Sequence, residues 1–227
     1  RVKNIKIDKF KTLELSDGTQ VKSQSVIIAT GAQWRELGIP GEKEYNGRGV
    51  AFCPHCDGPY FKEKPIAVVG GGNSGVEAAI DLARITQHVT IIEYANKLQA
   101  DKILLDKLNL LQNITIITSA ESTKIYGDNT KVTAIEYKDL KNQTLKKIII
   151  DGVFIQIGLI PNSSFLKGIV ELNQFGEVII DDHCRTSIKG IYAAGDVCNI
   201  PYKQIVISMG EGAKAALTSF EDRIREK

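Results

Sequence analysis

Pro65-Ile66-Ala67-Val68-Val69-Gly70-Gly71-Gly72-Asn73-Ser74-Gly75 decides the fold, because it reads as a buried strand that turns through glycines straight into a helix. A G-x-G-x-x-G pattern by itself is a weak signal. Its setting strengthens it. The pattern predicts a helix over 74–84, a strand over 89–93, a second helix over 101–111 and a strand over 114–118, which together make a βαβαβ unit. In such a unit Gly70 makes the tight turn, Gly72 lets the backbone approach a pyrophosphate, and Gly75 lets the helix close on the sheet. Asn73 and Ser74 open the helix, whose free N–H groups and positive dipole end attract phosphate oxygens. Glu93 ends the next strand, eighteen residues beyond Gly75. A carboxylate there accepts hydrogen bonds from the adenosine ribose hydroxyls and repels a 2′-phosphate. The turn that follows, Tyr94-Ala95-Asn96-Lys97, holds no arginine. These residues predict a dinucleotide site that prefers NADH to NADPH.

Just ahead of that strand lies Cys53-Pro54-His55-Cys56-Asp57. Cys-x-x-Cys sets two sulfurs within bonding reach across one turn, so the pair can cycle between dithiol and disulfide without large backbone movement. A dithiol beside a nicotinamide site points to disulfide reduction. Nicotinamide gives up a hydride whereas disulfides open by thiolate attack, so a flavin is expected between the two. His55 is placed to lower a thiol pKa, or is a bystander. Two rival readings stand beside this one: a zinc site completed by His183-Cys184, and a purely structural turn leading into Gly58-Pro59. The redox reading is preferred, with no metal site. Cys184 and Cys198 read as spectators, His88 as structural, and His183 receives no role.

Farther out, strand-like segments at 5–7, 13–15 and 20–22 surround an Asp17-Gly18 turn and predict a hairpin. A short strand at 25–29 ends in Thr30-Gly31. Trp34, Gly38, Pro40 and Gly41 then mark a linker. Beyond the βαβαβ unit, strands at 122–126, 132–137 and 144–150 read as an antiparallel meander, and 153–157 returns to the parallel sheet. From Pro161 a tail of strand signals leads to Ile191-Tyr192-Ala193-Ala194-Gly195-Asp196 and then to a helix over 204–225. The expected fold class is α/β, with a nucleotide domain at 39–159 between a first segment at 1–38 and a last one at 160–227. Composition fits a globular chain, with 43% apolar and 25% charged residues among 227. Twenty-nine basic against 27 acidic residues, scattered along the chain, leave no electrostatic footprint for nucleic acid or anionic lipid. The apolar run at 148–160 is interrupted by Asp151 and Gln156 and is too short for a bilayer. Four cysteines are too few for a secreted disulfide framework, so a cytoplasmic location is expected.

Cys53-Pro54-His55-Cys56-Asp57-Gly58-Pro59, the loop at 70–75 followed by Val76-Glu77-Ala78-Ala79, and residues 191–197 followed by Pro201-Tyr202-Lys203-Gln204 resemble the low-molecular-weight thioredoxin reductase group of the class II pyridine nucleotide-disulfide oxidoreductases. The Cys-Pro-His-Cys form is similar to the flavoprotein branch of the alkyl hydroperoxide reductases. So is Glu93, where thioredoxin reductases carry a basic cluster. The resemblance spans the whole chain. It implies a Rossmann-like NAD domain inserted into an FAD-binding Rossmann-like domain, with FAD and NADH as cofactors. Thr30 and Gly31 then belong to the first part of the FAD domain. Thr186, Gly195, Asp196 and Gln204 belong to its second part, with Asp196 toward the ribityl or phosphate region and Gln204 at the isoalloxazine edge. By the same resemblance Cys56 faces the flavin, Cys53 is the interchange thiol and Asp57 the acid-base group. The implied partners are a thioredoxin-like N-terminal domain of a longer chain and a peroxiredoxin, and the intact enzyme is implied to be a homodimer. In the family the NAD domain rotates about hinges, which would fall near 38–41 and 158–161. The family's N-terminal flavin loop has no counterpart after Arg1. The FAD domain is therefore expected to be incomplete, and the chain to be a fragment that binds NADH without turnover. Thioredoxin reductase proper is the alternative.

Overall fold

A computed structural model, which describes residues 1–225, shows two units: Arg1–Gln33 with the segment from Leu159 onward, and Trp34–Gly158. The first unit opens with an antiparallel meander of β1 (Val2–Ile7), β2 (Lys11–Leu15) and β3 (Gln20–Ser23). Leu13 lies opposite Val21 and Glu14 opposite Gln20, so the hairpin forms around Asp17-Gly18, with Gly18 at a φ of 87°. The next strands are β4 (Val26–Ile28) and β5 (Ala32–Trp34).

The second unit begins with β6 (Val50–Ala51) and the one-turn helix α1 (Pro54–Asp57). It continues through β7 (Pro65–Val69), α2 (Asn73–Leu82), β8 (His88–Ile92), α3 (Lys102–Leu108) and β9 (Ile114–Ile117). The expected βαβαβ unit is present. β10 (Ala120–Gly127), β11 (Val132–Asp139) and β12 (Thr144–Ile149) form the antiparallel meander, and β13 (Gly152–Ile155) returns to the parallel sheet. The sheet order is β6-β13-β7-β8-β9. Successive side chains of a strand point to opposite faces, and here both faces are covered. Ile66, Val68, Val89, Ile91 and Phe154 pack with Val76, Ala79 and Leu82 of α2. Ala67, Val69, Ile92, Val153 and Ile155 pack on the other side with Ile125, Val132 and Ile135 of the meander. Burial on both faces explains why β7 reads as an unbroken apolar run.

Both helices stop earlier than the periodicity predicts. Arg84 and Ile85 donate to Asp81 and Leu82 carbonyls three residues back, and Leu110 and Leu111 do the same to Lys107 and Leu108, so each last turn tightens. β6 has no counterpart among the expected strands, because two residues carry no periodic signal. The unit boundary also falls earlier than residue 38. Trp34 stacks on Phe52, and Leu37 and Ile39 pack into the meander core. The N–H groups of Leu37 and Gly38 both donate to the buried Glu42 carboxylate, at 2.8 and 2.7 Å, which fixes the stretch to the second unit.

The chain returns through β14 (Leu159–Pro161), which pairs with β5. β15 (Ile191–Ala193) runs parallel to β4, and α4 (Ile205–Arg225) closes the described chain. Ile5, Ile28, Leu166, Val178, Ile191 and Val197 form this unit's core. Between Pro161 and β15 the strand signals do not become a sheet, contrary to expectation. Leu172 and Val178 form only an isolated bridge, because Asn173 Oδ1 accepts from the Phe175 and Glu177 N–H groups and turns the chain between them. The apolar residues there fill a core without forming a ladder. Among the described residues no helix is long and apolar enough to cross a membrane.

Candidate functional site

β7 delivers the chain to Gly70, which has a φ of 118°. A Cβ on Gly70 would strike the Gln156 carbonyl oxygen, and one on Gly75 would overlap the carbonyl oxygen of Gly70 itself. Glycine is required at both by close approach. Gly71 belongs with them, since its Cβ would lie 2.8 Å from Glu93 Oε2 and 2.6 Å from Leu98. Gly72 differs: it is the N-cap of α2, no side chain caps that end, and nothing lies within 4 Å of a Cβ built there. Uncapped N–H groups facing open space are what a pyrophosphate needs. Ser74 is exposed in the first turn. Asn73 is exposed too, but its side chain is engaged with Asp101. Its amide donates to Asp101 Oδ2 at 2.9 Å and its Oδ1 accepts from Asp101 N–H at 2.8 Å. Asp101 thus steadies the loop, a role with no sequence motif.

Glu93 lies half-buried after β8, beside the loop. Its carboxylate accepts from the N–H groups of Gly71 and Ala95. The charge is held at the flank of the loop.

On the far side of the sheet β6 leads into Phe52 and the disulfide turn. Cys53 caps α1, its Sγ accepting from the Cys56 N–H at 3.2 Å, and its carbonyl accepts from Asp57 N–H at 3.0 Å. Pro54 occupies the first helical position, where its fixed φ suits the helix and no N–H is needed. Cys53 and Cys56 are joined in a disulfide with their Cα atoms 5.3 Å apart. Cys56 is exposed, Cys53 and Asp57 are half-buried, and His55 faces solvent. Behind the turn stands Gln156, only 8% exposed, whose Nε2 donates to Phe52 O at 2.8 Å and to Ile155 O at 3.1 Å. In the sequence Gln156 reads only as an interruption in an apolar run. Along the carboxyl edge of the sheet the order is therefore the disulfide turn, Gln156, the glycine loop and Glu93.

In the first unit, Thr30-Gly31 follow β4 and Gly195-Asp196 follow β15, and the two strands are parallel neighbours with Ile28 opposite Ala193. Both loops therefore share one carboxyl edge, the usual place for a ligand in an open α/β sheet. Gly31 and Gly195 have φ values of 67° and 78°. Asn162, which carries no motif in the sequence, locks the first loop: Thr30 Oγ1 donates to its carbonyl at 2.8 Å and its amide returns to Thr30 O at 2.9 Å. Asp196 accepts from Ser208 Oγ of α4 at 3.0 Å, and Gln204 immediately precedes that helix, its carbonyl accepting from Ser208 N–H at 2.9 Å. Thr186 does structural work in the turn before β15, with its hydroxyl donating to Ile191 O at 2.8 Å.

Cys184 and Cys198 are free and buried. Burial, then the hydrogen bond to Glu211, pushes the Cys184 thiol up to about 12, and burial does the same for Cys198. Neither forms thiolate near neutral pH. His183 is exposed, and among the described residues no group of three or more His, Cys, Asp or Glu is arranged to hold a metal ion. His88 bonds Thr115 Oγ1 at 2.9 Å, a strand-to-strand contact.

A family model described as pyridine nucleotide-disulphide oxidoreductase matches residues 1–215. The chain belongs to this family. Among its relatives are the F subunits of alkyl hydroperoxide reductase from Xanthomonas campestris pv. phaseoli, 54% identical over 94% of this chain and 40% of that protein, and from Escherichia coli K12, 52% identical over 95% and 41%. The chain thus spans about 40% of the length of the curated relatives it matches. The crystal structure of thioredoxin reductase from Streptococcus pyogenes superposes with a TM-score of 0.92 at 35% identity, over 99% of this chain and 73% of that one. The fold is therefore that of the thioredoxin reductases as well.

Proposed function

We propose that the chain is the nicotinamide-binding and disulfide-bearing part of an NADH-dependent flavoprotein disulfide reductase, of the type that serves as the flavoprotein of alkyl hydroperoxide reductase. One observation carries this reading: a Cys53–Cys56 disulfide whose Cys56 is exposed and an open, uncapped glycine loop with its acidic flank lie on the same edge of one sheet. The identity to the alkyl hydroperoxide reductase proteins supports that branch, and Glu93 supports NADH.

The residues of the two units fit both cofactors. Gly70 would make the turn, Gly72, Asn73, Ser74 and Gly75 at the uncapped start of α2 would hold the pyrophosphate of NADH, and Glu93 would take the ribose hydroxyls. Thr30, Gly31, Gly195, Asp196 and the start of α4 at Gln204 would hold FAD; Thr186 would contribute through the turn it stabilises. When bound, NADH would supply a hydride and FAD would pass it on as the electron pair that a disulfide takes up. The chain's own share is the sulfur chemistry. Once reduced, the Cys53 thiolate attacks an external disulfide, a mixed disulfide forms, and the Cys56 thiolate displaces it to restore the Cys53–Cys56 bond. Asp57 holds the proton released and taken up at the thiols. The external disulfide would belong to a thioredoxin-like domain, which passes the electrons to a peroxiredoxin and thence to peroxide, in a homodimeric cytoplasmic enzyme.

The test is alkylation followed by mass spectrometry under anaerobic conditions. As purified, all four cysteines resist alkylation: two through the disulfide, two through burial. NADH alone leaves Cys53 and Cys56 unmodified, whereas NADH with excess FAD exposes both to reagent in a single slow reduction. Opening of the disulfide by NADH alone would contradict the flavin relay, and a pair that is reduced and zinc-loaded as purified would remove the dithiol from the account.

A further inference from the structure

The order of the parallel sheet reverses between β7 and β13: from β7 the chain winds outward to β8 and β9, and it returns to lay β13 on the other side. Open α/β sheets take their ligands outside the carboxyl ends of strands at such a switch point. Here the two residues that flank it are Gly70, after β7, and Gln156, after β13. Their closeness is direct, since a Cβ on Gly70 would strike the Gln156 carbonyl.

The Gln156 side chain is almost wholly enclosed, yet its hydrogen bonding is one-sided. Both of its contacts, Phe52 O and Ile155 O, are carbonyl oxygens. Carbonyls only accept, so the amide nitrogen must face them and Oε1 must face away. Among the described residues the one sealed side-chain polar atom without a partner is Ser122 Oγ, so Gln156 Oε1 reaches solvent. The result is an acceptor with no protein partner, on a residue 8% exposed, at the switch point of the sheet. A buried amide held by one end in this way is oriented in advance, which lowers the entropy cost of any bond its other end makes.

We propose that Gln156 Oε1 accepts a hydrogen bond from the carboxamide N–H of the nicotinamide ring and fixes that ring at the β13 end of the site. This rests on the reading of the glycine loop as an NADH site. Glu93 marks the adenosine end, one strand beyond Gly70 on the β8 side. Strands lie about 4.8 Å apart, so a dinucleotide laid across the loop carries its other half toward β13. The carboxamide is the nicotinamide ring's N–H donor. The same Gln156 amide holds Phe52, the residue before Cys53, so the nicotinamide position and the disulfide turn share one anchor.

The test compares three probes by calorimetry on the chain and on Gln156→Met: ADP-ribose, which lacks the ring; NAD⁺; and 3-acetylpyridine adenine dinucleotide, in which a methyl replaces the amide nitrogen. The unmodified chain binds the acetylpyridine analogue about tenfold more weakly than NAD⁺, the loss expected for one hydrogen bond to an otherwise unpaired acceptor. Gln156→Met binds the two alike, and ADP-ribose binds both proteins equally. Equal binding of NAD⁺ and the analogue by the unmodified chain would overturn the inference, even if the variant proved unstable. Absence of ADP-ribose binding would overturn the dinucleotide reading itself, a separate result.

Discussion

Gly75→Val removes nucleotide binding: the affinity for NADH falls by at least about 100-fold, and the second unit loses about 1–3 kcal/mol of stability through overpacking. The cause is steric and local. A Cβ at this position overlaps the Gly70 carbonyl oxygen, which belongs to the fixed backbone of the loop and cannot swing aside as a side-chain end would. Helix α2 must then lift from β7, and its uncapped N-terminus leaves the place where phosphates would lie. Gly72→Ala separates the two consequences. Nothing lies within 4 Å of a Cβ there and the backbone is extended, so thermal stability stays within about 0.5 kcal/mol of the parent. NADH affinity still falls, because the methyl group occupies the space that the pyrophosphate needs. Thermal denaturation with calorimetric titration of both variants checks the pair; unchanged NADH affinity in Gly75→Val would mean that the loop is not the site.

Glu93→Arg reverses the choice between nucleotides, shifting the ratio of NADPH to NADH affinity by about 100-fold or more. The substitution removes the acceptor for the ribose hydroxyls and replaces a charge that repels the 2′-phosphate with one that binds it through charge-assisted bonds. It also leaves the Gly71 and Ala95 N–H groups without the carboxylate that now accepts from them, at a cost of about 1–3 kcal/mol in stability. Parallel titrations at low and moderate salt check it. The NADPH gain should shrink as salt rises, since it is electrostatic. A variant that loses both nucleotides equally would show that Glu93 only props the loop.

The glycine loop, Glu93 and the Cys-x-x-Cys are readable from sequence because each is local: the strand, turn and helix that give them meaning lie within a few residues. The meander is readable for the same reason, from turns that recur between short alternating runs. What the sequence hides is set by contacts between distant segments. β6 is two residues long and exists because β13 pairs with it. Gln156 and Asn162 look like polar interruptions until the fold brings Phe52 to one and Thr30 to the other. Asp101 looks like an ordinary helix start until Asn73 reaches it. The tail after Pro161 misleads in the other direction: its short apolar runs give strand signals, yet the Asn173 turn leaves arms too short to pair.

The measurement that bears most directly on the central claim is a calorimetric titration of this chain with NADH and, separately, with NADPH. The account predicts one NADH bound per chain, displaced by ADP-ribose, and NADPH at least about tenfold weaker because Glu93 faces the 2′-phosphate. No binding of NADH, or NADPH binding as tight as NADH, would contradict it.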